Sequence, residues 1–265
     1  IAYEFAKASF QPSWTGEFFH FQQDQIYGGA RNGNDGVVVV PGNFTKYEDA
    51  DLRKRTWLLE GPMFRFDNGQ PALARGGNEY DGQQIVFVDN IRKNKTGSTV
   101  SSMSEGEENS GVRFNKYKLG NQVAGVVNGV NIPADPNYNN TDWNIYRLTW
   151  VYFAKAEALM RKNNGNATAE AVQLINDCKK RAFTDTNWAT RAYTTTSLTL
   201  DELLEERGRE FIFEGFRRND LIRFGKFHTA SWWDHTPSAP FRTIFPIPQV
   251  QRTLNENLAQ NPGYN

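Results

Sequence analysis

The sequence predicts a mainly α-helical fold with long irregular loops and a few short strands. One reason is helical periodicity in the second half of the chain, from residue 147 to about residue 225. The other is a high content of turn-forming residues, with 26 Asn, 22 Gly and 11 Pro among 265 residues. Gly-Gly, Asn-Gly and Asp-Gly dipeptides concentrate before residue 140, so we expect loops first and helices after them.

Two consecutive helices are predicted between residues 147 and 183. The first, 147–162, lacks Gly and Pro, and one of its faces is formed by apolar residues: Leu148, Val151, Tyr152 and Leu159. After a polar turn, Thr168 is placed to cap a second helix with apolar residues at i, i+3, i+4 and i+7. The length of the pair matches one helix–turn–helix unit of the tetratricopeptide type.

A third helix is expected to begin at Thr199. The sequence Thr-Leu-Asp-Glu at 199–202 is a capping box, in which the Thr hydroxyl accepts from the Glu amide and the Glu side chain reaches back. We expect this helix to break near Gly215. The prolines that follow predict an extended tail on the surface of the helices: Pro246, Pro248 and Pro262.

The loop-rich first half contains two short strand-like runs, 37–40 and 85–88, between turn signals. A polar segment follows before the helices begin. These features predict short strands that connect long loops.

Composition excludes several classes of function. Thirty basic and thirty acidic residues give a net charge of zero, whereas capture of nucleic acid or of an anionic membrane needs a basic excess. No apolar run approaches the ~18 residues of a membrane-spanning helix. The single Cys178 excludes an intrachain disulfide framework and a Cys-based zinc cluster. The chain begins at Ile1 without a signal-peptide pattern, so any export signal or lipid anchor would lie upstream.

Three ordered segments carry recognisable motifs. Residues 203–225 read LLEERGREFIFEGFRRNDLIRFG, residues 244–264 open with IFPIP and close with QNPGY, and residues 147–183 contain AKAEAL and INDCKKRAF. A weaker match is SGVRFNKYK at 110–118. In order and spacing these motifs resemble the SusD/RagB family, the outer-membrane nutrient-binding lipoproteins of Bacteroidetes. The chain resembles the C-terminal half of a member, without the N-terminal helical half, signal peptide and lipidated Cys.

The resemblance implies a SusD-like, tetratricopeptide-like helical scaffold with long ligand-binding loops. We expect a loop-rich ligand-binding segment at 1–140 and a helical C-terminal region at 141–265, both parts of one domain. It also implies a cell-surface protein of polysaccharide utilisation that is not an enzyme. Such a protein captures oligosaccharide and passes it to a SusC-like TonB-dependent transporter. No cofactor and no nucleic acid are implied, and membrane attachment would be only through an N-terminal lipid anchor outside this chain.

Aromatic side chains are the candidates for glycan contact. The apolar face of a sugar ring stacks on an exposed aromatic ring, while polar side chains bind its hydroxyls. Residues 10–36 combine both kinds of side chain, and the pair at 232–233 is a second candidate that could instead contact the transporter. For each aromatic the alternative is a place in the core. The predicted ligand-binding residues are Trp14, Tyr27, Arg31, Asn32, Asp24 and Trp232.

Glu206, Glu210 and Glu214 lie at i, i+4 and i+8 and would form one charged stripe. Two carboxylates at this spacing could serve a retaining glycosidase as acid and nucleophile. Neighbouring arginines, however, depress carboxyl pKa values, and the helix is otherwise apolar. We therefore expect an ion-pair network that locks the helix to the tail.

Metal and thiol chemistry find little support in the sequence. The three histidines lack metal-ligand spacing, so no metal site is predicted. Calcium binding at 32–36 is an alternative to a polar turn, but this loop lacks the EF-hand spacing and its distal Glu. Cys178 lies on an apolar helix face and is expected to be a buried structural thiol. In the tail, Phe245 and Tyr264 are expected to be buried anchors.

Three other functions stay open. The same fold could bind peptides. A glycoside hydrolase would need Asp24 and Asp35 as its carboxylate pair, and a protein-interaction scaffold would bind no small ligand. In addition, apolar surface of the helical pair 147–183 could be exposed, and the chain would then self-associate.

Overall fold

A computed structural model describes two separate units, Ile1–Glu214 and Gly215–Asn265. Within them it describes the following residues: 2–3, 20–27, 33, 35–76, 80–91, 106–107, 110–116, 125–127, 130–132 and 143–264. Across these ranges, no helix combines the length and the apolar character that a membrane span requires.

Helices dominate the described residues, and the strands are only two or three residues long, which confirms the predicted fold class. The helices are α1 Gln23–Tyr27, α2 Leu52–Thr56, α3 Leu148–Lys162, α4 Ala169–Lys179, α5 Asp185–Trp188, α6 Leu200–Glu210, α7 Arg217–Arg223 and α8 Gln249–Leu254. The strands are β1 Ala2–Tyr3, β2 Leu58–Leu59, β3 Gly61–Pro62, β4 Val86–Phe87, β5 Arg113–Phe114, β6 Gly125–Val127, β7 Val130–Ile132 and β8 Trp143–Asn144.

The four strand ladders in the described part of the chain are antiparallel and two-stranded, pairing β1 with β8, β2 with β5, β3 with β4 and β6 with β7. Of the predicted run 37–40, only Val39 pairs, through a bridge to Val112. The predicted run 85–88 contains β4. Short runs of this kind connect loops, as the sequence indicated.

Helix α3 packs against α4, and its apolar stripe is not the buried face. Leu148 is 64% exposed and Val151 51% exposed. The buried residues of α3 are Thr149, Phe153, Ala156, Glu157 and Met160. Two of these buried residues are polar. Glu157 is accommodated there because Arg161 donates to it at 2.8 Å.

The cap of α4 agrees with the sequence. Thr168 accepts from the Ala171 amide at 3.1 Å. The buried residues of α4 include Ala171, Ile175 and Cys178, as its periodicity predicted. The helix ends in a 3-10 turn, Lys180–Ala182, close to the expected end.

Half of the predicted capping box forms at α6. Thr199 accepts from the Glu202 amide at 3.1 Å. Glu202 does not return the bond, because its Oε1 accepts from Tyr193 and Arg209, each at 2.6 Å. The predicted break also forms: α6 ends at Glu210, and Phe213 and Gly215 adopt positive φ angles of 62° and 80° before α7 begins.

In the second unit, the tail folds onto Arg218 of α7. The guanidinium of Arg218 lies 4.1 Å from the ring centroid of Phe245. The Tyr264 hydroxyl donates to the Ile244 carbonyl at 2.8 Å. Phe245 is nevertheless 68% exposed, so the prediction of a buried anchor there was wrong. Arg218 covers one face of its ring and leaves the rest to solvent.

Candidate functional site

The glutamates of α6 are held in a buried ion-pair network. Arg53 of α2 lies 2.8 Å from Asp51, 2.8 Å from Glu206 and 3.0 Å from Glu210. Burial works against ionisation of Glu206, yet the charges of Arg53 and Arg209 outweigh it and lower its pKa. A carboxylate fixed in this way stabilises the fold and is a poor general acid.

The network continues beyond the end of α6. Arg147 contacts Glu210 at 2.6 Å and Glu214 at 2.8 Å. Lys116 donates to Glu214 and, at 2.7 Å, to the Glu210 carbonyl. An ion-pair network is therefore present on these glutamates, and the partners named here belong to the first unit.

Two buried glutamines hold helix α1 in place. Their side-chain amides bond to backbone N–H and C=O groups, as a neighbouring strand would. The Gln22 side chain donates to the Arg75 carbonyl at 2.6 Å and accepts from the Arg75 amide at 2.8 Å. Gln25 makes the same two bonds to Leu73, at 2.7 and 3.2 Å. This double clamp fixes α1 on residues 73–75.

Asp24 lies on the accessible side of the clamp. Arg75 donates to both of its carboxylate oxygens at 3.0 Å. Asp35 likewise pairs with the buried Arg113. Asn32 and Asn34, which belong to the calcium alternative, lie outside the described residues. Each carboxylate proposed for a glycoside hydrolase is thus bound to its own arginine, which does not resemble a paired acid and nucleophile.

The other predicted ligand-binding residues of the first unit are only partly described. Tyr27 is the last residue of α1, and the structure describes its backbone. Trp14, Arg31 and Asn32 lie outside the described residues. Among the predicted ligand-binding residues of the first unit, the structure therefore gives side-chain contacts for Asp24, which pairs with Arg75 in the first turn of α1.

Trp232 belongs to a tight turn of the second unit. Its amide donates to the His235 carbonyl at 3.1 Å, and the His235 amide donates back at 2.7 Å. The two rings are stacked, with centroids 3.8 Å apart. Trp233, between them, has a positive φ of 37°, which is rare for a large side chain. The imidazole covers one face of the Trp232 indole, so only its other face could meet a ligand.

An exposed apolar surface lies next to the point where Gln25 of α1 bonds Leu73, and the sequence analysis did not identify it. Phe64 is 50% exposed, and Leu73 is 42% exposed. Their neighbours Met63 and Ala72 are buried in the core of the first unit. The sequence feature that could have indicated this surface is the Asn68-Gly69 turn. It lies between two short segments in which buried and exposed residues alternate.

No group of three or more His, Cys, Asp or Glu residues in the described ranges is arranged to hold a metal ion. Cys178 is buried, as expected. Burial, together with the negative charge of Glu210, raises its pKa to about 11. Such a thiol is structural and does not act as a nucleophile at neutral pH.

These features define a helical scaffold that fixes loop-borne surfaces through buried ion pairs and amide clamps. Residues 44–264 match the SusD family. The chain therefore belongs to the SusD family, whose members are binding proteins and not enzymes.

Two curated relatives support this assignment. The starch-binding protein SusD of Bacteroides thetaiotaomicron is 34% identical over 176 residues, which cover 58% of this chain and 30% of that protein. SusD-like protein P25 of Formosa agariphila is 32% identical over 148 residues, which cover 51% of this chain and 27% of the relative. The matched region is thus less than a third of either relative.

Solved structures give the same fold. NanU of B. fragilis matches over the whole chain with a TM-score of 0.61 and 20% identity. The chain covers 50% of that protein. It therefore spans about half the length of this relative.

Proposed function

We propose that this chain binds an oligosaccharide or polysaccharide at the bacterial cell surface. Membership in the SusD family over residues 44–264 carries the proposal. The 34% identity to a protein named for starch binding supports a glycan as the ligand class. Binding breaks no bond: sugar rings stack on aromatic side chains, and polar groups bind the hydroxyls.

The proposed site is the region of α1. Asp24 and Arg75 form an ion pair on the accessible side of this helix, where carboxylate oxygens accept and guanidinium groups donate. Around them we propose contacts from Trp14, Tyr27, Arg31 and Asn32. Trp232 is proposed as a further contact through the open face of its indole. Affinity should be modest, micromolar to millimolar, because polar sugar surface gives little net burial energy.

We further propose that the protein delivers its ligand to a SusC-like TonB-dependent transporter at the outer membrane. A lipid anchor would lie outside this chain. Trp232–Trp233 is an alternative contact for the transporter. Co-purification of the full-length protein with its transporter tests this step, and loss of the complex in Trp233→Ala would assign the contact.

Affinity electrophoresis and calorimetry against a panel of soluble polysaccharides and peptides test the glycan proposal. Asp24→Asn and Trp14→Ala should each weaken binding to the preferred glycan about tenfold or more. Asp177→Asn, which alters an exposed carboxylate on α4 that accepts from Gln173, is the matched control and should bind normally. Binding of peptides alone would replace the glycan with a peptide ligand. If a folded sample binds no polysaccharide and no peptide of the panel, the proposal that this chain binds a ligand is contradicted.

A further inference from the structure

We propose that the exposed apolar surface around Phe64 and Leu73 is a second sugar-contacting site, which takes an uncharged polysaccharide chain. We call it the outer ladder face and define it by its apolar residues: Pro62, Phe64, Pro71, Leu73 and Val86. The proposal rests on glycan binding as the function of the chain and adds a site to it. It concerns residues that none of the sequence motifs identified.

The outer ladder face is built where three segments meet. The Met63 amide donates to the Ile85 carbonyl at 2.8 Å, the Ile85 amide to Ala72 at 2.8 Å, and the Ala72 amide to Met63 at 3.0 Å. These three bonds close a cycle, and all three residues are buried. Because side chains alternate along extended segments, the residues on either side of each point away from the core.

Backbone pairing brings these outward residues together. Pro62 pairs with Val86 in the ladder of β3 and β4, and isolated bridges join Phe64 to Pro71 and Leu73 to Gln84. Five of these six residues are apolar. The solvent side of an antiparallel ladder normally alternates to polar residues, so an apolar outer side is a departure from the rule. We interpret this apolar surface, which has polar residues at its rim, as a ligand-binding surface.

The size of the face favours a sugar chain over a protein partner. The exposed parts of Phe64 and Leu73 amount to about 180 Å², taking ~200 Å² for a whole large side chain. A stable protein–protein interface buries about 800 Å² on each partner. The apolar area here is far smaller and suits stacked sugar rings instead.

The charges around the face disfavour an acidic ligand. Three ion pairs lie close in sequence, each with one cation and one anion: Arg65–Asp67 at 2.6 Å, Arg75–Asp24 at 3.0 Å and Arg55–Glu60 at 3.4 Å. These pairs cancel, and Asp81 and Asp89 leave the surroundings with an excess of negative charge that repels an acidic polymer. The amides of Asn68, Gln70 and Gln84 add uncharged donors and acceptors for hydroxyl groups.

The face is also fixed before any ligand arrives. Gln25 bonds both the amide and the carbonyl of Leu73, and the Phe66 amide donates to the Gln25 carbonyl at 3.0 Å. A surface held in place loses little conformational entropy when it binds, which matters for a weak ligand. Because the same helix carries Asp24, one polysaccharide chain could contact both sites.

The test compares a polymer with a short oligosaccharide, its disaccharide, because the two sites are close together and a longer oligosaccharide would reach both. Calorimetry would measure soluble starch against maltose, and laminarin against laminaribiose. A chain that contacts two sites gains avidity, whereas a disaccharide occupies one site at a time. Phe64→Ala should weaken binding to the polymer about tenfold and leave the oligosaccharide unchanged. Phe64→Tyr, which keeps the aromatic ring, should retain polymer affinity, and Phe64→Leu should not.

Leu254→Ala, which truncates another strongly exposed apolar side chain, is the control and should bind like the wild type. Unchanged polymer affinity of a folded Phe64→Ala protein would overturn the second site and leave the proposed function intact. Equal losses for polymer and oligosaccharide would also overturn it, because Phe64 would then belong to a single site. A wild-type protein that binds none of these probes and no other polysaccharide of the panel would contradict the proposed function itself.

Discussion

Arg53 of α2 lies 2.8 Å from Glu206 of α6, and both side chains are almost completely buried. The two residues are far apart in sequence, and their pair joins the loop-rich first half to the helical scaffold. Asp51, Glu210 and Arg209 surround them, so that each charge has a partner. The loops of this unit are therefore fixed by charges as well as by apolar packing.

Replacing Glu206 with Ala should destabilise the first unit strongly. The substitution leaves the buried guanidinium of Arg53 without one of its carboxylates, and breaking a buried pair costs about 3–5 kcal/mol. Urea unfolding monitored by circular dichroism measures the change. Glu205→Ala removes a more exposed pair with Lys46 and should cost less than about 1 kcal/mol. Equal effects of the two variants would contradict a special role for the buried network.

Lys116 should make stability depend on pH between about 8 and 10. Burial lowers its pKa to about 8, with Glu214 and Glu210 opposing the shift and Arg147 adding to it. In the unfolded chain the pKa is near the ordinary ~10.4. Between these values the unfolded state binds more protons, so the free energy of unfolding should rise with pH.

The comparison with Lys116→Met isolates this contribution, because other titrating groups are shared. The wild-type stability should increase relative to the variant from pH 7.5 to 10 in urea titrations. A constant difference across this range would show that Lys116 keeps its ammonium in the folded state.

Local signals in the sequence predicted local structure well. Thr168 and Thr199 cap their helices because a cap depends on residues three positions away. The buried face of α3 was not identified, because Thr149 and Glu157 are buried through partners that apolar periodicity does not reveal. The outer ladder face was missed for a related reason. This face forms only where three segments pair at Met63, Ala72 and Ile85, and the sequence of one segment does not predict its pairing with the other two.

Cys178 should resist thiol reagents in the folded protein. Its raised pKa, about 11, leaves almost no thiolate at pH 8, and burial blocks access. Reaction with Ellman's reagent at pH 8 should be slow in buffer and should become fast in urea. Rapid labelling in buffer would mean that the junction of α4 with its neighbours opens readily.

The exposed face of α3 should make the chain self-associate. Leu148 and Val151 are more than half exposed, and Ile145 and Tyr146 extend the same apolar stretch of sequence. Together they expose about 400 Å², taking ~200 Å² for a whole large side chain, which is the size of the largest apolar patch on a typical monomer and often marks an interaction site. Sedimentation velocity should detect concentration-dependent association that Leu148→Glu with Val151→Glu abolishes. Val250→Glu, on the second unit, is the matched control and should leave it unchanged. Monomeric behaviour of the wild type at high micromolar concentration would contradict this prediction.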